Sequence, residues 1–169
     1  MSNSNPKTNT AASLRRAGRE RALQNLYTVE LSKQDVDEVF AASQEVTPLD
    51  EKTEQFARRL IDVTLRSQAE IDPILDRLAT GFPIARQTVV DRNILRLAAA
   101  EILFEASDAP PGAVVNEAVE LAKKFSTAES GRFVNGVLGA LVRELPRAGD
   151  NPGDNAGGET TPLEPSPVE

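Results

Sequence analysis

The sequence predicts an all-α protein, a bundle of six to seven helices. Apolar residues recur at three- and four-residue spacing in nearly every segment, and no stretch alternates as a half-buried strand would. Capping residues and Pro/Gly breakers also punctuate the chain at helix-length intervals.

The elements follow in order. Residues 1–12, "MSNSNPKTNTAA", are small and polar and are expected to form a disordered tail, because they hold too little apolar surface to offset ordering entropy. The first helix is expected from about Leu14 to Leu31, with Ala22, Leu23, Leu26 and Tyr27 at helical spacing. A short second helix opens at "DVDE", where Asp35 caps and Glu38 stands at N3. A third opens at "TPLD", with Thr47 as cap, Pro48 at N1 and Asp50 at N3, and carries Phe56, Leu60, Ile61 and Leu65. Asp72-Pro73 is expected to restart a short helix bearing Ile74, Leu75 and Leu78, which "TGFP" then ends.

The run "NILRLAAAEIL" is apolar all round, which marks a central helix. Glu101 lies within it and is expected to reach solvent or an arginine. "DAPPG" breaks the chain, and the next helix carries Val114, Val115, Ala118, Val119, Ala122 and Phe125. "STAE", Ser126 to Glu129, spells a capping box for the last helix, which carries Phe133, Val134, Val137, Leu138, Leu141 and Val142. Gly136 costs that helix ~1 kcal/mol relative to Ala, which suggests close helix packing there. Residues 146–169 are rich in Pro and Gly and are expected to be a disordered acidic tail, leaving a folded domain over 13–145.

Composition excludes several functions. The chain has no Cys and no His, so a disulfide framework, a thiolate metal site and a Ser-His-Asp or Cys-His set are all ruled out. There is no Walker-type glycine loop and no GxGxxG. Carboxylate pairs such as Asp35 and Asp37 stand at cap positions. Neither an enzyme nor a cofactor is expected. No apolar run approaches the ~20 residues of a membrane span, and the N-terminus lacks a secretory signal's apolar core, so a cytoplasmic protein is expected.

Charge is unevenly placed. The net charge is -7, yet residues 1–24 carry +4 through Lys7, Arg15, Arg16, Arg19 and Arg21 against Glu20. Residues 146–169 carry -4. Four arginines and no lysine thus gather in "RRAGRERALQNLY", at the mouth of the first helix. On a helical wheel Arg15 and Arg19 lie on the side of Ala22 and Leu26, and Arg16 lies above Leu23 and Tyr27. Burying unpaired guanidinium would cost several kcal/mol, so the first turn and a half is expected to project past the core.

Exposed arginines beside free amides at the positive end of a helix form a cradle for phosphates, which arginine's fork suits well. A solvated helix start with no partner is the plain alternative. Tyr27 fits either a base-stacking ring or the edge of the core. In "GRFVNG", Arg132 and Phe133 offer a second basic–aromatic pair, although Phe133 also continues the apolar stripe.

Four segments then stand in the order and spacing of the bacterial antitermination factor NusB family, which residues 14–142 resemble. They are "RRAGRERALQNLY", "ILRLAAAEIL" after "VVDR", "AVVNEAVELAKKFS" and "GRFVNGVL". The resemblance implies two perpendicular three-helix sub-bundles and no reaction. It also implies binding of single-stranded boxA RNA in nascent ribosomal transcripts, together with the ribosomal protein NusE, in a complex with NusA, NusG and RNA polymerase. Some members are homodimers when free, so self-association is a further expectation.

Carried over by position, the RNA contacts fall on Arg15, Arg16, Arg19, Tyr27, Glu129, Arg132 and Phe133, with Arg21 as a further candidate. The NusE contacts fall on Tyr27 and Asp91. Asn116 and Glu117, in the most specific motif, are read as structural. Ala17 departs from a position basic in many members, and Ala100 from one that is often aromatic. A helical protein–protein module without specific RNA binding is the alternative reading. The RNA-modifying enzymes that carry a similar module need a further domain and a nucleophilic cysteine, and this sequence has no cysteine.

Overall fold

The structure, a computed structural model, describes residues 10–146. Among them are six α-helices and no strand: α1 (Ala11–Ser32), α2 (Val36–Val46), α3 (Glu51–Leu78), α4 (Val89–Leu103), α5 (Pro111–Phe125) and α6 (Ala128–Glu144). A single 3-10 turn, Ile84–Arg86, lies between α3 and α4. The all-α expectation holds. The expected tails lie outside the described residues, apart from the stretch beginning at Thr10 and the final Pro146. Thr10 accepts from the Ser13 amide and starts α1 at Ala11, inside the stretch read as tail.

The helices form two groups of three. α1 packs on α2 and α3, while α4, α5 and α6 pack on one another, and α1 and α3 lie against α4. The apolar run therefore becomes the centre of the molecule, with every residue from Asn93 to Glu101 buried. Leu60, Ile61, Ile71, Leu75, Ile94, Leu95 and Leu138 are wholly shielded from solvent around it. Each such side chain contributes about 1.5–3 kcal/mol of burial. Ala100 is fully buried, so its departure from an aromatic residue concerns core volume and not a surface. No helix among the described residues is long and apolar enough to cross a membrane.

Four local expectations are corrected. Asp50, not Thr47, caps α3, accepting from the Thr53 amide, while Thr47 closes α2 by donating its amide to the Ser43 carbonyl. Helix α3 does not restart at Pro73 but runs through it. Burial of Ile71 and Leu75 on either side, with Arg96 clamping Asp72 through two 2.8 Å bonds, outweighs the proline's ~3 kcal/mol penalty. Thr127, not Ser126, caps α6, because Ser126 still ends α5. Gly136 is open to solvent. The close approaches are at Gly18, where a Cβ would meet the Phe56 ring at 2.5 Å, and at Gly131, where it would meet Lys123 at 3.1 Å.

Candidate nucleic-acid interface

Helix α1 organises the surface. Arg16, Glu20 and Tyr27 fall on one stripe of it, within about 40° of each other. That stripe is tied to α5: Arg16 donates two hydrogen bonds to Glu117, at 3.0 and 2.8 Å, and Lys124 donates to Glu20 at 2.7 Å. The order of these pairs makes α1 and α5 run in the same direction. Tyr27 is two turns further along the stripe than Glu20, whereas α5 ends one residue after Lys124. Its ring consequently stands past the end of α5, 40% exposed. This settles the choice that spacing left open, in favour of the surface.

The end of α1 also meets the start of α4. Glu30 accepts from Arg92 and Asn93, and Arg96 stands 3.5 Å away. Burial alone would raise the Glu30 carboxyl, but the bonds from Arg92 and Asn93 hold it below the ordinary carboxylate range. From the start of α4, Asp91 accepts from Ser130 of α6 at 2.9 Å. Phe82, in the connection before α4, makes an edge-to-face contact with Phe133 of α6, with 5.5 Å between centroids and 88° between planes. Phe82 is 41% exposed, and Arg132, next in sequence to Phe133, is exposed without an ion pair among the described residues. Glu129 is exposed in the first turn of α6. One end of the molecule thus gathers Phe82, Glu129, Arg132 and Phe133 at the junction of α4 and α6, with Tyr27 on the adjoining end of α1.

At the other end of α1 stand Arg15 and Arg16, about 16 Å from Tyr27 along the axis. Arg15 is half-exposed and 3.0 Å from the exposed Asp108. The bond from Arg16 holds the Glu117 carboxyl below its ordinary range. Both arginines are solvent-accessible, Arg15 beside one exposed carboxylate and Arg16 held by two bonds to Glu117.

At three side chains the geometry differs from what the sequence suggests. Arg19 is only 5% exposed, and it donates to both oxygens of Glu101 at 2.8 and 2.7 Å. It is not a free phosphate ligand, and the first turn and a half does not project whole past the core. The penalty of burying this guanidinium is offset by a carboxylate buried with it. The expectation that Glu101 reaches an arginine is met. Arg21 turns inward to Gln44 and the Thr47 carbonyl, away from Arg15 and Arg16, and burial pushes its guanidinium below the ordinary value. Asp91 is 6% exposed and spends one oxygen on Ser130, so it supports the α4–α6 junction and presents little to a partner.

Sequence reasoning missed Phe82, which "TGFP" offered only as a breaker, and the Glu20–Lys124 and Arg16–Glu117 pairs that align α1 with α5. An aromatic between Gly and Pro was the one available signal for Phe82. Ion pairs over a hundred residues apart leave no local trace.

The described residues form an all-helical module that exposes Tyr27, Phe82 and the unpaired Arg132 at one end. A family model described as the NusB family matches residues 16–143. The transcription antitermination protein NusB of Elusimicrobium minutum is 42% identical over 131 residues, covering 77% of this chain and 94% of that protein. That of Pelotomaculum thermopropionicum is 44% identical over 128 residues, covering 76% and 88%. Among solved structures, NusB of T. maritima superposes with a TM-score of 0.71 at 35% identity, covering 77% of this chain and 91% of that one. A structure of NusB and NusE in complex with double-stranded RNA gives 0.70 at 34% identity, covering 77% and 96%. The chain belongs to the NusB family.

Proposed function

We propose that this protein is a transcription antitermination factor that binds single-stranded boxA RNA of nascent ribosomal transcripts together with NusE. The observation that carries the reading is the exposed surface of Tyr27, Phe82 and Arg132, with the half-buried Phe133 ring against Phe82, on an otherwise acidic protein. Aromatic faces take unstacked bases, which duplex RNA does not offer, and this favours a single strand.

In this reading Arg15 and Arg16 hold phosphates at one end of α1, and Arg132 holds them at the other. Tyr27 and Phe133 stack on bases, and Glu129 accepts from base amino groups. Arg19, paired with Glu101 inside the fold, holds no phosphate and supports the helix packing alone. NusE docks beside Tyr27, over the junction that Asp91 supports. The protein works as an adaptor with no reaction of its own. In the cytoplasm, where transcripts are made, the complex joins NusA, NusG and RNA polymerase.

The test is binding of boxA RNA, a scrambled strand and a duplex, each with and without NusE from the same organism. A preference for single-stranded boxA that NusE sharpens supports the reading. Equal binding of all three RNAs refutes it and leaves a helical module for protein contacts.

A further inference from the structure

A second basic feature lies on α3, away from the surface just described. Lys52, Arg59 and Arg66 stand seven residues apart, so they share one face of the helix within about 40° and span about 21 Å. All three are exposed. Their neighbour Arg58 is occupied by Asp37 and Asp62, and lies over the Phe40 ring. By contrast, none of the three has an ion-pair partner among the described residues, and Arg59 makes only a 3.1 Å bond to the Glu105 carbonyl. Three unneutralised cations at even spacing are unusual on a protein whose net charge is -7.

The relief of the surface follows these cations. A groove of about 940 Å³ between the starts of α1 and α3 is lined by Leu14, Arg15, Lys52, Phe56 and Arg59. A second groove, of about 720 Å³, is lined by Arg58, Arg59, Arg66 and Phe104. Arg59 borders both, so the two form one trough, and Arg15 stands at its α1 end. Phe56 and Phe104 are each part-exposed within it. Carboxylates also enter the trough: Glu101, Glu105 and Asp108 line the first groove, and Glu54 and Asp62 the second. Of these, Glu101 is neutralised by Arg19, Asp108 by Arg15 and Asp62 by Arg58.

We propose that this trough is a second contact surface for single-stranded RNA, carrying the strand that flanks boxA from Arg15 along α3 to Arg66. It rests on the reading that Arg15 and Arg16 hold RNA. Cations about 10.5 Å apart suit an anion that repeats along a chain, and part-exposed rings beside them suit unstacked bases. Contacts of this kind read charge and not sequence, so the trough would lengthen the bound strand without adding specificity.

The test compares a minimal boxA RNA with the same RNA extended on each side by about six nucleotides, within the usual ~4–16 of a single-strand site. A scrambled pair of the same lengths runs alongside. If all three cations meet phosphates at ~0.7 of salt slope each, affinity for the extended RNA falls about 20-fold further than for the minimal RNA between about 50 and 200 mM salt. In the triple variant Lys52→Ala/Arg59→Ala/Arg66→Ala that difference disappears and minimal-RNA binding stays unchanged. Thermal unfolding confirms that the variant, altered only at exposed positions, is folded.

Equal salt slopes for both lengths in the unaltered protein overturn the proposal, as does a triple variant that keeps the difference. Failure of the boxA reading is a separate result: the minimal boxA and scrambled RNAs bind alike. Should that occur while the length difference persists and needs the three cations, the trough stands as a sequence-independent RNA surface.

Discussion

Arg19 and Glu101 form a buried, two-bonded ion pair that locks the third turn of α1 to the last turn of α4. Ser107 adds a 2.7 Å bond to the same carboxylate, and the Arg19 guanidinium lies 5.5 Å from the Phe56 ring centroid. The pair therefore joins α1, α3, α4 and the connection before α5 at one point. Removing either partner strands a charge where water cannot reach it. Glu101→Ala is expected to destabilise the fold by about 3–5 kcal/mol in urea unfolding. RNA affinity of the protein that remains folded should be unchanged. A Glu101→Ala protein of full stability and reduced RNA affinity would contradict the structural role.

Gly18 packs tightly between α1 and α3. A Cβ there would sit 2.5 Å from a carbon of the Phe56 ring, which is itself held under Arg19. Although Ala is the better helix former by ~1 kcal/mol, Gly18→Ala should destabilise by about 1–3 kcal/mol, because the ring must move. Gly136→Ala, with open space around it, should stabilise by up to ~1 kcal/mol. Thermal unfolding of the two variants side by side checks the contrast in sign.

Tyr27 and Leu26 are neighbours with opposite duties. Leu26 is 3% exposed and belongs to the core, so Leu26→Ala should cost about 2–5 kcal/mol of stability. Tyr27→Ala should leave the unfolding midpoint nearly unchanged and weaken boxA binding by ~1–3 kcal/mol, the worth of one stacked base. Loss of stability with intact binding would return Tyr27 to a structural role.

Arg15→Ala and Arg132→Ala should each lower the salt slope of boxA binding by ~0.7, one phosphate on a single strand. Arg21→Ala should not, since its guanidinium is spent on Gln44 and the Thr47 carbonyl. Titrations at several salt concentrations separate the three, and an unchanged slope for Arg15→Ala removes it from the RNA contacts.

Acid should weaken the fold through Glu30 and Glu117. Both carboxyls titrate below their ordinary range in the folded protein, so the folded state binds fewer protons than the unfolded chain. Their contribution is complete above about pH 4.3 and is lost as pH falls through the depressed folded values. Glu30→Gln should flatten the decline of stability below about pH 5 and cost ~1–2 kcal/mol near neutrality, since it holds both Arg92 and Asn93. Glu117→Gln should change less, because Arg16 is more than half exposed and its pairing is screened. Urea unfolding across pH 3 to 7 reads both slopes.

Periodicity was enough for the helices, because each must present an apolar stripe to the core. The central place of α4 followed from a run with no polar side. Boundaries failed where two local rules competed. Thr47 and Asp50 can both cap, and Ser126 and Thr127 can both cap; long-range packing chose between them. Pro73 reads as a break only while Arg96 and the buried Ile71 and Leu75 are unknown. At the surface, the wheel put Arg19 on the core side, where it lies; the expectation that its turn projects past the core failed because its partner was out of sight. The charge that accepts Arg19 stands 82 residues away, beyond any spacing rule. Phe82 and the α3 trough were illegible for the same reason, since each takes its meaning from a neighbour on another element.

The two accessible arginines of α1 are not bare. Arg15 rests on the exposed Asp108, a pair worth about 0–1 kcal/mol, and Arg16 is held by two bonds to the more sheltered Glu117. An incoming phosphate must therefore exchange with a carboxylate already in place. A lone anion gains almost nothing by the swap, whereas a strand that displaces several carboxylates while its bases stack gains at every step. The acidic partners thus act as a threshold: they keep the arginines oriented and hold off casual polyanions, yielding only to a ligand that matches the whole surface.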